Sequence, residues 1–437
     1  MTEIQIQDEL VTRVEGHGNI VVNVENGDLE TCEWQVVESP RFFESMFVGK
    51  DYEAVPHMTS RICGICSASH VDASLKAVED AIGVSVTDQT ERLRKLALNA
   101  EIIQSHVLHL GYLVLPDLLD SKSVIPLADT HEDEVKTVIR LHECGNELLE
   151  TVAGRSVHSQ RLIPGGFSKL PTEAELSEVR KDLKAATEDL EAVTALVEEL
   201  ASELPHFERE TEYISLTHPE EYALYEGTLY SSDRGNLGET PYEDVVNEYV
   251  TEQSTAKFAK HARDSYFVGA LARVNNNYEQ LSDRGKAIAE RFALEPLCTN
   301  PYLNTVAQLV ELGHLFETSI DFIDGLLEEG LDPQSDYHSP DINPEDGRGV
   351  GLLEAPRGLL IHDYQFEDGR CQEANSVIPT NQNHGNIQQD MEALVPTILE
   401  APEAQIERDL EMLVRAYDPC ISCSTHYLDV EFVDSTE

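Results

Sequence analysis

Ile20, Val22 and Val24 recur at every second position, the period of a strand with one buried face. Asn26-Gly27 then supplies a hairpin turn before the partly apolar run Cys32 to Val37, so a small antiparallel sheet is expected to open the chain. From Val71 the period lengthens to that of a helix. VDASLKAVEDAIG is followed by ERLRKLALNAEIIQSHVLHLGYLVL, in which Leu93, Leu96, Ala100 and Ile103 share a face, and Pro116 is expected to end the run. The clearest helix spans about Thr172 to Leu204. Its apolar positions, Leu176, Val179, Leu183, Ala186, Leu190, Val193, Val197 and Leu200, alternate spacings of three and four, and a long antiparallel partner should cover them. TLYSSDRGNLGETPYEDV reads as loop or edge strands, with helix expected from Val250 to Asn275 and from Thr305 to Gly330. Residues 331–350 read as a linker or long loop. Strands at Gly358 to Tyr364 and Ala374 to Pro379 then precede a helix from Ile387 to Thr397. There is no internal repeat and no low-complexity segment. The pattern describes one domain over residues 1–437, mostly α with small peripheral β-sheets (α+β) around a core of long packed helices.

Charge changes the picture of the surface. With 82 acidic against 31 basic residues the formal charge is −51, while a hydrophobic fraction of 41% leaves ample material for a core. Such a surface repels nucleic-acid phosphates and anionic lipids, so neither is an expected partner. The acids are spread along the whole chain, which reads as adaptation to high salt, where a Debye length of roughly 3 Å at 1 M screens self-repulsion. No run approaches ~18 apolar residues, and MTEIQIQDELVTRVEGHG has neither a basic nor an apolar leader region, so a soluble, cytoplasmic chain is expected.

Eight cysteines without a signal peptide argue for reduced thiols, some of them ligands. Four form two Cys-x-x-Cys pairs: Cys63 and Cys66 in RICGICSASH, Cys420 and Cys423 in DPCISCSTH. Each pair places two thiolates on one side of a turn, and two pairs make a four-sulfur site for a soft metal. A zinc ribbon sets its pairs roughly 15–20 residues apart; here the gap is 420 − 66 = 354, so distant segments must assemble the site. Zinc, an iron–sulfur cluster or nickel all satisfy the spacing. Each pair is followed by a histidine, His70 or His426, and preceded by Arg61 or by Asp418-Pro419, company that suits a catalytic metal better than a structural one.

These motifs resemble the nickel-binding signatures of the large, catalytic subunit of [NiFe]-hydrogenases. RVEGHG (13–18), SPRFFE (39–44), SHVLHLGYLVLPD (105–117), GGFSKLP (165–171), EAPRG (354–358) and IPTNQN (378–383) extend the resemblance over essentially the whole chain. Their wording is most similar to the cytosolic sulfhydrogenase, NAD(P)-linked branch. The resemblance implies that all four thiolates bind nickel, with Cys66 and Cys423 also bridging to an iron that carries carbon monoxide and cyanide ligands. It implies heterolytic cleavage or formation of H2, with a terminal thiolate or the guanidine of Arg357 as candidate base; arginine is a poor base, so an electrostatic role is the alternative for it. Glu15 would relay protons between the terminal cysteine and solvent; the plainer alternative is a solvated carboxylate. Asp418 would pair with Arg357, or simply cap a turn. Glu44 and His426 would hold a magnesium or iron ion near the C-terminus together with the carbonyl before Pro379, or form an ordinary ion pair. His70 would hydrogen-bond a bridging thiolate and Thr380 a cyanide ligand.

His106 and His109, one helical turn apart, are expected to be structural, and Cys32, Cys144, Cys298 and Cys371 fit core packing. Many family members carry Asp where this chain has Ser105. Residues 427–437 read either as a tail of the kind removed by a maturation endopeptidase after nickel insertion or as a retained strand. With no spare cysteine grouping here, iron–sulfur clusters are expected on a small-subunit partner, and flavin and NAD(P) on diaphorase subunits. The rival readings are a deazaflavin-reducing or heterodisulfide-reductase-linked hydrogenase subunit, a catalytically silent hydrogenase-derived scaffold, and a structural zinc protein.

Overall fold

The computed structural model describes residues 4–8, 10–238, 240–333 and 346–425. An antiparallel sheet opens it: β1 (Ile4–Asp8), β2 (Gly18–Glu25) and β3 (Asp28–Val36), the last two joined at Asn26-Gly27, both with positive φ. Seven long helices form the body: α1 (Ser67–Ile82), α2 (Asp88–Leu108), α3 (Glu132–Ala153), α4 (Glu173–Leu200), α5 (Asn304–Glu329), α6 (Pro379–Ile398) and α7 (Glu403–Ala416). A four-stranded sheet around Glu212–Thr217 and a meander of β4 (Gly347–Ala355), β5 (Gly358–Glu367) and β6 (Arg370–Val377) lie against this body.

The expected stripe on α4 is buried from Leu176 to Val197, with Leu200 partly exposed. Its partners are α3, which runs antiparallel with Arg140 paired to Asp189, and α5. Thr172 and Glu175 start α4 with a reciprocal capping box: the Thr172 N–H donates to Glu175 Oε2 at 2.7 Å and the Glu175 N–H to Thr172 Oγ1 at 3.2 Å. Among the described residues no helix is long and apolar enough to cross a membrane.

Three expectations are corrected. The stretch from Val250 to Gly269 is not helical; it holds the strands Phe258–Lys260 and Tyr266–Phe267, and helix begins only at Ala270. Tertiary partners take its backbone groups: Thr255 N–H donates to the Val36 carbonyl at 2.9 Å, and Asn383 both accepts from Val268 N and donates to Val268 O at 2.9 Å. Pro116 does not end α2. A π-helical turn, His109–Val114, follows α2, and Pro116 sits in the first turn of the short helix Leu115–Leu118, where a missing N–H costs nothing. Residues 347–350 belong to β4 and not to a linker.

Glycine explains how β4 lies so close to α1. Gly347, Gly349 and Gly351 occupy alternate positions and face the carbonyls of Ala81, Ala77 and Ala73, one per helical turn. A Cβ on Gly347 would meet Ala81 O at 2.5 Å, and Cβ atoms on Gly349 and Gly351 would come closer still to backbone oxygen. Gly351→Ala is therefore expected to destabilise the fold by about 3 kcal/mol, the upper range for overpacking, read as a lowered denaturation midpoint at unchanged slope.

Asp72, on the same helix, is fully buried, and neither carboxylate oxygen has a hydrogen-bond partner among the described residues. Burial raises its pKa from 3.8 to about 7, against the pull of Arg94. Below pH 3.8 both folded and unfolded chains carry the proton; between there and about 7 only the folded chain does, so stability falls as pH rises through that window. Asp72→Asn removes the penalty. Its advantage over wild type in thermal melts is expected to grow from pH 4.5 to pH 7.5, to on the order of 3 kcal/mol.

Candidate metal centre

The two chain ends meet at the cysteine pairs. Cys63, Cys66, Cys420 and Cys423 are buried free thiols whose sulfurs all lie within 4.8 Å of one another. Cys63 and Cys420 approach to 3.4 Å, Cys66 and Cys423 to 3.7 Å, and Cys420 and Cys423 to 2.9 Å. The donor set, four soft sulfurs from buried side chains, fits a thiophilic transition metal.

Local geometry aims each pair. In the first, the Ile65 and Cys66 N–H groups both donate to Cys63 Sγ at 3.2 Å, and Cys66 immediately precedes α1. The free N–H groups of Ala68 and Ser69 at that helix start donate to the carboxylate of Glu101 at 2.5 and 2.7 Å. Burial pushes Glu101 up to about 8 despite those bonds. In the second pair, Cys420 N donates to Thr380 Oγ1, Ile421 N to the Glu15 carbonyl and Ser422 N to Glu15 Oε2, each at 3.0 Å. Gly16 is required beside this loop: at φ +86°, a Cβ there would lie 2.7 Å from Ile421 Cβ and 2.9 Å from Ser422 N. Arg41 ties the loops together, donating to Ile62 O at 2.7 Å and to Ser422 O, each the carbonyl just before a cysteine.

Arg357 sits beside the thiols, 4% exposed. Its Nε donates to the Asp418 carbonyl at 2.6 Å, Nη2 to Asp418 Oδ1 at 2.7 Å and Nη1 to Ser105 Oγ at 3.2 Å. Gln308 Nε2 donates to Asp418 Oδ2 at 3.1 Å. Burial opposes the guanidinium charge, but Asp418 and the thiols Cys420, Cys66 and Cys63 outweigh it and hold the Arg357 pKa above its usual value. In turn, burial opposes ionisation of Cys63, while contacts from the other three thiols and the charge of Arg357 hold its pKa well below that of a free cysteine.

The other predicted residues that are described have their own partners. The His70 ring pairs through Nδ1 with His362 Nε2 at 3.0 Å, and His362 Nδ1 meets Tyr364 OH at 2.6 Å; burial lowers His70 to about 4. Glu44 is buried, accepts from Ser376 N at 2.9 Å and is pushed by burial to about 7. His426, its expected companion ligand, and the segment 427–437 lie outside the described residues. His106 pairs with Glu311 at 2.7 Å, and His109 Nε2 with the Arg415 carbonyl at 2.7 Å. Cys32, Cys144 and Cys371 are buried and Cys298 is half-buried, none within the four-sulfur group.

Sequence reasoning did not single out Arg41, Glu101, Gln308 or His362. Arg41 lies inside SPRFFE and His362 a few positions past EAPRG, so the motifs pointed near both; Glu101 and Gln308 sit in ordinary helical periodicity and left no signal.

A buried four-thiol site assembled from segments 354 positions apart, with the Arg357–Asp418 pair beside it, defines a metal-binding protein. The chain belongs to the nickel-dependent hydrogenase family, whose profile fits residues 41–155 and 209–426, while residues 4–39 fit the HoxL-like family. Sulfhydrogenase 2 subunit alpha of Pyrococcus furiosus is 32% identical over 95% of this chain and 98% of its own length. Sulfhydrogenase 1 subunit alpha of the same organism is 30% identical over 95% and 96%. A crystal structure of an NAD+-reducing [NiFe]-hydrogenase in the H2-reduced state superposes with a TM-score of 0.87 at 28% identity, covering 98% of this chain and 100% of that one. The protein is an oxidoreductase acting on H2, with nickel as the metal its four thiols are built to hold.

Proposed function

We propose that this chain is the catalytic subunit of a cytoplasmic hydrogenase that cleaves or forms H2 and exchanges the electrons with NAD or NADP. The observation that carries the reading is the meeting of Cys63, Cys66, Cys420 and Cys423 beside the Arg357–Asp418 pair. The four thiolates would hold nickel, and Cys66 and Cys423 would also serve as ligands to an iron bearing carbon monoxide and cyanide. When bound, this pair of metals supplies the centre at which H2 is separated into two protons and two electrons. Arg357, fixed by three hydrogen bonds, keeps a positive charge beside the reacting space without reorganisation. Cys420 Sγ takes a proton, and the half-buried carboxylate of Glu15, which accepts from Ser422 N and whose backbone pairs with that of Cys420, carries it outward. Glu44 and His426 would hold a magnesium or iron ion. Thr380 would donate to a cyanide on the iron, and His70 to a thiolate.

The similarity to sulfhydrogenase alpha subunits and to an NAD+-reducing enzyme supports the NAD(P) branch. Electrons then leave through an iron–sulfur small subunit to flavin-bearing diaphorase subunits, and nickel-insertion proteins and an endopeptidase acting on 427–437 complete maturation. The test is anaerobic purification of the complex from its native host, followed by metal analysis, infrared spectroscopy in the carbonyl and cyanide stretching region, and H2-dependent reduction of NAD, NADP and deazaflavin. About one nickel per chain with those bands and pyridine-nucleotide reduction is expected; zinc without bands overturns the reading.

A further inference from the structure

One buried chain of hydrogen bonds is used by none of the roles above. Trp34, the single tryptophan, donates its indole N–H to His384 Nδ1 at 2.9 Å. His384 Nε2 lies 3.2 Å from Ser424 Oγ, which donates to the Ile421 carbonyl at 2.7 Å. Trp34 and His384 have no exposed surface and Ser424 only 2%.

Every proton in this chain has one available place. An indole N–H donates and never accepts, so His384 Nδ1 must accept and the imidazole proton sits on Nε2. Burial, which lowers His384 to about 3, keeps the ring neutral. Nε2–H then faces Ser424 Oγ, whose own hydrogen is committed to Ile421. The strut crosses three elements: β3, α6 and the short helix Ile421–Ser424, where Ile421 follows Cys420 and Ser424 follows Cys423. Its far end is rigid. Trp34 N donates to Gln388 Oε1 at 2.7 Å, Gln388 Nε2 donates to Cys32 O at 2.6 Å, and Phe258 packs on the His384 ring at 5.6 Å.

We propose that His384 is a positioning residue for the Cys420 and Cys423 sulfurs, acting through Ser424, with Trp34 holding the imidazole in the tautomer that can donate to that serine. The inference rests on the nickel reading of the same loop. Such outer partners fix ligand orientation, and their loss costs about 10–100-fold in metal affinity or activity.

Two amide variants separate the arms of the ring. His384→Asn places its carbonyl near Nδ1 and keeps the bond from Trp34 while losing the one to Ser424; His384→Gln places its amide near Nε2 and keeps the bond to Ser424. In the anaerobically purified complex, His384→Gln is expected to rescue nickel content and the infrared band positions. His384→Asn is expected to show displaced bands and at least about tenfold lower nickel content or H2-dependent dye reduction. Ser424→Ala, which spares the Trp34 bond, should reproduce the Asn result even where an amide in the core impairs folding. Equal behaviour of the two amide variants with wild-type bands in Ser424→Ala overturns the inference. Wild-type complex lacking nickel and bands overturns the nickel reading itself, and this inference with it.

Discussion

Cys420→Ser is expected to leave a folded protein that has lost its nickel and at least about 100-fold of its H2-dependent dye reduction, beyond the cost typical of an outer partner. The substitution removes one sulfur from a cage in which Cys420 lies 2.9 Å from Cys423 and 3.4 Å from Cys63. A hydroxyl is harder than a thiolate and does not ionise near neutral pH, so it neither matches a soft metal nor releases a proton to bind one. The fold should survive. Cys420 is held through its own N–H to Thr380, and the loop through Glu15 and Arg41, none of which touches the sulfur. Metal analysis of the purified complex reads the loss, and an unchanged denaturation midpoint for the metal-free chain excludes unfolding. Full nickel and activity in this variant would mean that the metal is held by other groups.

The second large effect is expected at Arg357→Lys, a change that keeps the charge. The guanidinium spans three acceptors, the Asp418 carbonyl, Asp418 Oδ1 and Ser105 Oγ, from one planar fork. An ammonium on a flexible stem cannot meet all three, and it can lose its proton when buried whereas arginine does not. H2 oxidation is expected to fall about 10²–10³-fold with nickel content retained, the range seen when one preorganised electrostatic donor is removed. Asp418→Asn should cost a similar factor, and the double variant little more than either alone, because the two side chains act as one unit. Nickel lost in parallel with activity would instead make the pair a brace for the cysteine loop.

Much of this was legible in the sequence, and the limits have a physical pattern. Local periodicity announced the N-terminal hairpin, the α4 stripe and α5, because those segments bury a face at a fixed spacing. Cysteine spacing announced that residues 354 positions apart share a site. The stretch from Val250 to Gly269 misled because its backbone partners, Val36 and Asn383, lie far away in sequence, so tertiary pairing overrode a local helical preference. The same holds for the supports of the site. Glu101 caps a helix that begins 34 residues earlier, Ser67 against 101, and Gln308 reaches Asp418 across 110 positions. Neither carries a motif, since a buried carboxylate or amide on a helix looks like any other until its partner is placed.

The separation of the cysteine pairs has a consequence in time as well as space. At a synthesis rate of about 5–20 residues per second, the 354 positions from Cys66 to Cys420 occupy roughly 20–70 s. The glycine-lined strand that seats α1 emerges only near the end of that interval. Until then Cys63 and Cys66 are a half-cage, a two-thiol chelate open to whatever divalent ion is abundant, and ions that bind sulfur more strongly than nickel would win by affinity alone. Affinity alone would therefore not select nickel at this half-cage, and the four-sulfur set that defines the site exists only once Cys420 and Cys423 have joined Cys63 and Cys66.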